Sequence, residues 1–122
     1  ILEREYKHAS TTLNFSGPLE LLIATILSAQ CTDKRVNAVT DELFQRWDDL
    51  LKLADEPVRK IETVIRSCGF YRNKARNIKK AVQKIRDDFS GSVPSNMEDL
   101  LTLPGVARKT ANIVLYHYFG VN

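Results

Sequence analysis

Leu103-Pro104-Gly105-Val106-Ala107-Arg108-Lys109-Thr110-Ala111-Asn112 reads as a tight corner opening directly onto a helix, with a lysine in the first turn of that helix. Pro104 sets its φ at about −65°, and Gly105 permits the left-handed geometry that such a corner needs. The backbone N–H groups just past the corner are the unpaired donors of a helix N-terminus, and they attract anions such as phosphate. A lysine beside such donors is a phosphate contact or, once its proton has left, a nucleophile. An ordinary turn between two helices offers the same local chemistry, so the rest of the chain must decide between these meanings.

On both sides of this stretch helical periodicity dominates and no strand-like alternation appears. Met97 to Leu101 reads as a short helix leading into the corner, and Ala107 to Tyr118 as the helix leaving it. In that last helix Ala111, Val114, Leu115 and Tyr118 form the buried stripe, which puts Lys109 on the opposite face with Ile113 and Tyr116. Arg72 to Phe89 is a long amphipathic helix with Ala75, Ile78, Ala81, Val82, Ile85 and Phe89 inward. Its outer face carries Arg72, Lys74, Arg76, Lys79, Lys80, Lys84 and Arg86 with no acid until Asp87, a block able to follow phosphates. Gly91 to Pro94 is a loop.

Glu56-Pro57 starts a helix that Gly69 stops, and Trp47 to Leu53 reads as a shorter one. Thr32 or Asp33 caps a helix whose stripe is Val36, Val39, Leu43 and Phe44. Ser16, ahead of Gly17-Pro18, caps a helix through Leu19, Leu22, Ile23, Ile26 and Leu27 that is apolar on most sides and therefore central. Residues 1–15 read as polar and irregular. The expected fold class is all-α, a compact helical bundle in one domain over residues 1–122.

The 122 residues suffice for one modest core, and 43% hydrophobic content excludes disorder. The longest apolar run, Leu21 to Leu27, is interrupted by Thr25 and is too short to span a bilayer. Cys31 and Cys68 have neither metal-site spacing nor the numbers for a disulfide framework, and His8 and His117 lack partners at metal spacing. No signal-peptide pattern stands at the start, so a reduced, intracellular protein without membrane attachment is the expectation. A net charge of +3 is weak evidence for a nucleic-acid partner; the basic block is stronger.

The helices flanking Leu103-Pro104-Gly105-Val106 resemble a helix-hairpin-helix DNA-binding motif, with Ala107 where that motif usually carries a second glycine. Three segments together, Leu27-Ser28-Ala29-Gln30-Cys31-Thr32-Asp33, Gly69-Phe70-Tyr71-Arg72-Asn73-Lys74-Ala75 and Leu103 to Asn112, resemble in order and spacing the endonuclease III family of DNA-repair glycosylases. The resemblance runs from about Asn14 to Gly120. It implies the six-helix barrel domain of a bifunctional enzyme that removes oxidised pyrimidines and cleaves abasic sites by β-elimination through a Schiff base.

By position, the resemblance makes Lys109 the Schiff-base lysine, Gln30 the side chain that fills the gap left by a flipped nucleotide, and Phe70 a wedge into the opposite strand. Inserted side chains recover part of the cost of unstacking, roughly a few kcal/mol per step. Lys74, Gly105, Ala107, Arg108 and Thr110 complete the expected DNA contacts, and the carbonyls of Leu101, Leu103 and Val106 form a candidate monovalent-cation site. The implied partner is double-stranded DNA with damaged bases or abasic sites.

Adenine-removing relatives place a glutamate near the position of Thr25, and Leu21 to Leu27 holds no acid. The family's assisting carboxylate lies in a Val-Asp-Thr-His-like segment that is not within these 122 residues. Its [4Fe–4S] cluster needs four cysteines, so this chain is expected to hold no cofactor and to lack the second domain. A non-catalytic hairpin module that only binds DNA is the alternative. Ile113 and Tyr116 are expected to leave an apolar spot on the last helix for the absent domain or a partner chain.

Overall fold

A computed structural model describes residues 13–120; the expectations for residues 1–12, His8 included, lie outside them. Among the described residues the secondary structure is entirely helical: α1 (Pro18–Leu27), α2 (Asp33–Arg46), a 3-10 turn (Leu50–Asp55), α3 (Val58–Ile65), α4 (Tyr71–Asp88), α5 (Met97–Leu100) and α6 (Arg108–Phe119).

Helix α1 is the axis of the core, with every residue from Leu21 to Leu27 buried. Thr25 is tolerated there because its hydroxyl donates to the Leu22 carbonyl at 2.8 Å. The start of α1 differs from expectation. Gly17 is the N-cap and Pro18 opens the helix, while Ser16 donates through its N–H and Oγ to the Glu20 carboxylate at 2.9 and 3.1 Å. Glu20 thus reaches back over the first turn as the glutamate of a capping box does. Thr32 caps α2 as read, its hydroxyl accepting the Arg35 N–H at 3.2 Å. The short helix read at Trp47 begins later, at Leu50, where the Asp49 carboxylate accepts the Leu51 N–H at 3.1 Å. Trp47 is instead buried and donates its indole N–H to Glu56 at 3.2 Å.

Helices α4 and α6 both pack on α1; α4 also packs on α3 and the 3-10 turn, α2 on α1 and α3, and α5 on α6. Part of the basic block of α4 is consumed by this packing, while Arg72, Arg76 and Lys80 remain exposed. Lys79 donates to the Glu56 carbonyl at 2.6 Å, Gln83 to the Ala54 carbonyl at 3.0 Å, and Arg86 to Asp55 at 2.8 Å. Lys79 and Gln83, one helical turn apart, therefore satisfy carbonyls at the C-terminal end of the 3-10 turn that would otherwise lack partners, and Arg86 pairs with the Asp55 carboxylate beside them. Lys84 pairs with Asp88. The row that reads as a phosphate track is thus divided between residues that hold the fold together and residues open to solvent.

Candidate nucleic-acid interface

The corner forms as its sequence requires. The Val106 N–H donates to the Leu103 carbonyl at 3.1 Å, and Gly105 has φ +81°, the arrangement of a type II turn with proline and glycine at its centre. Leu103 and Val106 point inward and are buried, and Gly105 faces out. Beneath it lies α4: a Cβ on Gly105 would stand 2.8 Å from the Asn77 Cβ. Sequence patterning did not single out Asn77, because its importance is a close approach between segments distant in the chain.

Helix α6 starts immediately after this corner without a side-chain cap on Ala107. The first amide of the helix to be paired is Ala111, with the Ala107 carbonyl at 3.0 Å. The N–H groups of Arg108, Lys109 and Thr110 have no acceptor among the described residues and are free to bind an anion. Lys109 itself is exposed, as are Ala107 and Arg108, and Thr110 is half-buried. A primary amine and a row of open amides thus share one turn.

Two further loops flank α4. In the first, Cys31 N–H donates to the Ser28 carbonyl at 3.1 Å and Gln30 has φ +54°. Ala29 keeps a negative φ, so this is a second type II turn, with glutamine where glycine is usual. In the second, Phe70 precedes α4 with φ +57° and is 64% exposed, the most open large apolar side chain described. The two loops touch: a Cβ on Gly69 would lie 3.5 Å from the Gln30 carbonyl. Ser90 is the remaining described non-glycine residue with positive φ, so two of the three such residues are the pair that the resemblance assigns to DNA. Strained backbone of this kind persists where surrounding structure imposes it, often at functional sites. Phe70→Gly is accordingly expected to hold or raise thermal stability, by up to about 1 kcal/mol, because glycine relieves the left-handed φ and little burial is lost. The same variant should bind abasic duplex more weakly; a melting curve and a titration check both.

Lys74 is corrected. It is not a surface contact for phosphate: it is 5% exposed, and its Nζ donates to the carbonyls of Leu27 at 2.9 Å and Ala29 at 2.6 Å. A buried amine must find acceptors, and the open C-terminal end of α1 provides them. Positions 70, 74 and 77 recur at helical spacing, so one side of α4 supports the Phe70 loop, the Gln30 loop and the Gly105 corner in turn.

Cys31 and Cys68, 37 positions apart, bring their Sγ atoms to 3.6 Å beneath the same two loops. Burial, and secondarily the contact with Cys31, pushes the Cys68 thiol up to about 11 from 9.0. Its proton is held more tightly in the folded state, so its contribution to stability is complete below pH 9.0 and is lost as pH rises through about 11. Denaturant midpoints measured across that window should fall, and fall less in Cys68→Ala.

Ile113 rests against the core and Tyr116 is half-buried with its ring 5.3 Å from that of His117. The free apolar spot expected on α6 is therefore smaller than read, since Ile113 is already partly used within the chain. The more open apolar side chain on this helix is Phe119, at 36% exposure. No group of histidine, cysteine and acidic residues among the described residues is arranged to hold a metal, and two cysteines do not fit a cluster held by four thiolates. No helix of the described residues is long and apolar enough to cross a membrane.

Known proteins resemble this chain in sequence and in fold. Endonuclease III of Synechocystis sp. is 57% identical over 121 residues, covering 99% of this chain and 55% of that protein. Endonuclease III of Escherichia coli strain K12 is 42% identical over 119 residues, covering 98% and 56%. The chain thus spans about half the length of the curated relatives it matches. Among solved structures, a trapped endonuclease III–DNA covalent intermediate superposes with TM-score 0.88 at 46% identity, covering 97% of this chain and 55% of that one. A thermostable thymine-DNA glycosylase superposes with TM-score 0.80 at 27% identity, covering 88% and 49%. The model of the HhH-GPD superfamily of base excision DNA repair proteins matches residues 23–117, a span that contains the Gln30 turn, the Phe70 loop, the glycine corner and Lys109. With most of its length inside that match and its three loops gathered along one helix, the chain belongs to the HhH-GPD superfamily.

Proposed function

We propose that the protein carrying this chain is a bifunctional DNA N-glycosylase and abasic-site lyase acting on oxidised pyrimidines, with Lys109 as its nucleophile. The observation that carries this is the exposed Lys109 amine in the uncapped first turn of α6, directly behind a corner seated on α4. The open amides of Arg108, Lys109 and Thr110, with the corner at Gly105 and Ala107, grip one backbone phosphate and fix the register of the strand without reading its sequence. Gln30 and Phe70 occupy the space opened when the damaged nucleotide leaves the stack. The Lys109 nitrogen, in its neutral form, bonds to the sugar C1′ as the base departs with the bonding electrons. The amine then gives up a proton to O4′ and the C1′–O4′ bond breaks, which opens the sugar and leaves a protonated imine at C1′; the imine acidifies the 2′ position, loss of that proton sends its electron pair to expel the 3′ phosphate, and water hydrolyses the imine to return the lysine.

The choice of oxidised pyrimidine over adenine rests on α1, where Thr25 is buried and engaged with Leu22 and no carboxylate stands nearby in that helix's core. A monovalent cation on the carbonyls of Leu101, Leu103 and Val106 would strengthen the phosphate grip, although Leu103 already accepts the Val106 N–H with one of its lone pairs. The chemistry calls for an intracellular setting where DNA is present. For these 122 residues alone, weak backbone binding is expected, with slow or absent base excision and residual lyase activity, because a pre-formed abasic aldehyde needs no base expulsion.

Borohydride reduction in the presence of duplex DNA with an abasic site tests the proposal. A covalent protein–DNA adduct is the expected result. Salt-sensitive binding without an adduct would favour the non-catalytic hairpin module, since counterion release makes any phosphate-based affinity fall steeply with salt. Absence of salt-sensitive affinity would end both readings.

A further inference from the structure

We infer that Lys74 is a positioning residue for Gln30: from inside the protein its amine sets the peptide that aims the gap-filling side chain. The inference rests on the function proposed above and deepens it. In the Ser28–Cys31 turn, the carbonyl of Ala29 belongs to the central peptide, between the second and third residues. Type I and type II turns share their end-to-end hydrogen bond and differ by a flip of that central peptide. Type I would give Gln30 an ordinary negative φ; type II forces it to +54°, a conformation that disfavours every residue with a Cβ. Left alone, a turn with glutamine in third place would favour the other form.

Lys74 reverses that preference. Its Nζ donates to the Ala29 carbonyl at 2.6 Å and to the Leu27 carbonyl at 2.9 Å, so it holds the flipped peptide and anchors it to the last residue of α1. The side chain is 5% exposed, and these two carbonyls are the hydrogen-bond acceptors it has among the described residues. A type I flip would turn the Ala29 carbonyl away and leave a buried donor short of a partner. The cost of the strained turn is thus coupled to the cost of an unsatisfied amine. The positive charge also sits at the C-terminal end of α1, the end that favours cations. Because Lys74 projects from the first turn of α4, directly after Phe70, one side chain also ties the two loops to each other.

The test uses the full-length protein with Lys74→Met, which keeps the length of the side chain and removes the donor. Two readouts are compared. The first is the rate of borohydride trapping on an abasic site in duplex DNA and on the same site in a single strand, where no helical gap exists to be filled. Lys74→Met should trap duplex roughly 10- to 100-fold more slowly, as expected for a misplaced positioning group, and the single strand at close to the parental rate. Adding Gln30→Ala to Lys74→Met should produce little further loss on duplex, because the lysine acts through the glutamine. Equal losses on both DNAs, or losses that multiply with Gln30→Ala, would overturn the inference and leave Lys74 a plain stability residue.

The second readout needs no DNA. The shift in denaturant midpoint caused by Lys74→Met should be smaller in a Gln30→Gly background, since glycine adopts the third place of a type II turn unaided. An unchanged shift would also overturn the inference. Should Lys74→Met fail to fold, Lys74→Arg keeps the cation and is expected to give a smaller bias against duplex, again with the single strand spared; an unbiased loss would count against the positioning role. Failure of the parental protein to trap any abasic DNA would instead overturn the proposed function, while the midpoint shift would still report whether Lys74 holds the turn.

Discussion

Lys109→Gln is expected to eliminate the borohydride-trapped adduct on abasic duplex, a loss of at least about 10³-fold, with the fold intact. Glutamine keeps the length and polarity of much of the side chain but offers an amide nitrogen whose lone pair is delocalised and cannot form an imine. Lys109 is exposed and enters no hydrogen bond or ion pair among the described residues, so thermal stability should move by no more than about 0.5 kcal/mol. Affinity for DNA should fall modestly, by the loss of one cation near the phosphate, and the salt dependence should flatten by about one phosphate contact. Trapping gels, a melting curve and a salt titration read the three quantities separately. Persistence of the adduct would place the nucleophile elsewhere in the protein and refute the assignment.

Gly105→Ala should be the most damaging small substitution in the corner. Two causes add. A Cβ at φ +81° is strained whatever the space around it, at about 1–3 kcal/mol. That Cβ would also stand 2.8 Å from the Cβ of Asn77 and 3.2 Å from its Cγ, a contact with the root of a helical side chain that cannot simply rotate away. Relief requires the corner to lift from α4, and overpacking of this kind costs about a further 1–3 kcal/mol. The lift also moves the open amides of α6, so DNA affinity should fall along with the denaturant midpoint. Gly69→Ala provides the contrast: its φ is not left-handed and its nearest neighbour, the Gln30 carbonyl, is at an ordinary 3.5 Å. Asn77→Gly should recover the steric part of the Gly105→Ala loss and leave the conformational part, which separates the two causes by a double-mutant cycle.

The positions of the helices were legible because each has a local cause. Thr32 caps α2, Pro18 opens α1, and the apolar spacing of α4 and α6 selects the faces that are in fact buried. The corner was legible for the same reason, as proline and glycine at its centre suit one turn type and few others. Structure departs from sequence pattern where a side chain answers to a distant partner. Lys74, Lys79 and Arg86 look alike in a row of cations, yet Lys74 donates to the carbonyls of Leu27 and Ala29, Lys79 to that of Glu56, and Arg86 pairs with the Asp55 carboxylate. Cys31 and Cys68 meet across 37 positions, and nothing in their spacing announces it. The hand of the Gln30 turn is not legible in the sequence, because glutamine carries no signal for a positive φ.

Local chemistry in the chain thus accounted for the helical class, the glycine corner and the exposed lysine behind it. Folding in three dimensions settled which cations face water and which are consumed as caps, how close the corner sits on Asn77, and why a glutamine adopts a glycine's geometry. The division has one physical origin. Turn and helix preferences arise from sterics within a few residues, whereas the partner of a buried amine or thiol is whatever the packed core brings within hydrogen-bond reach.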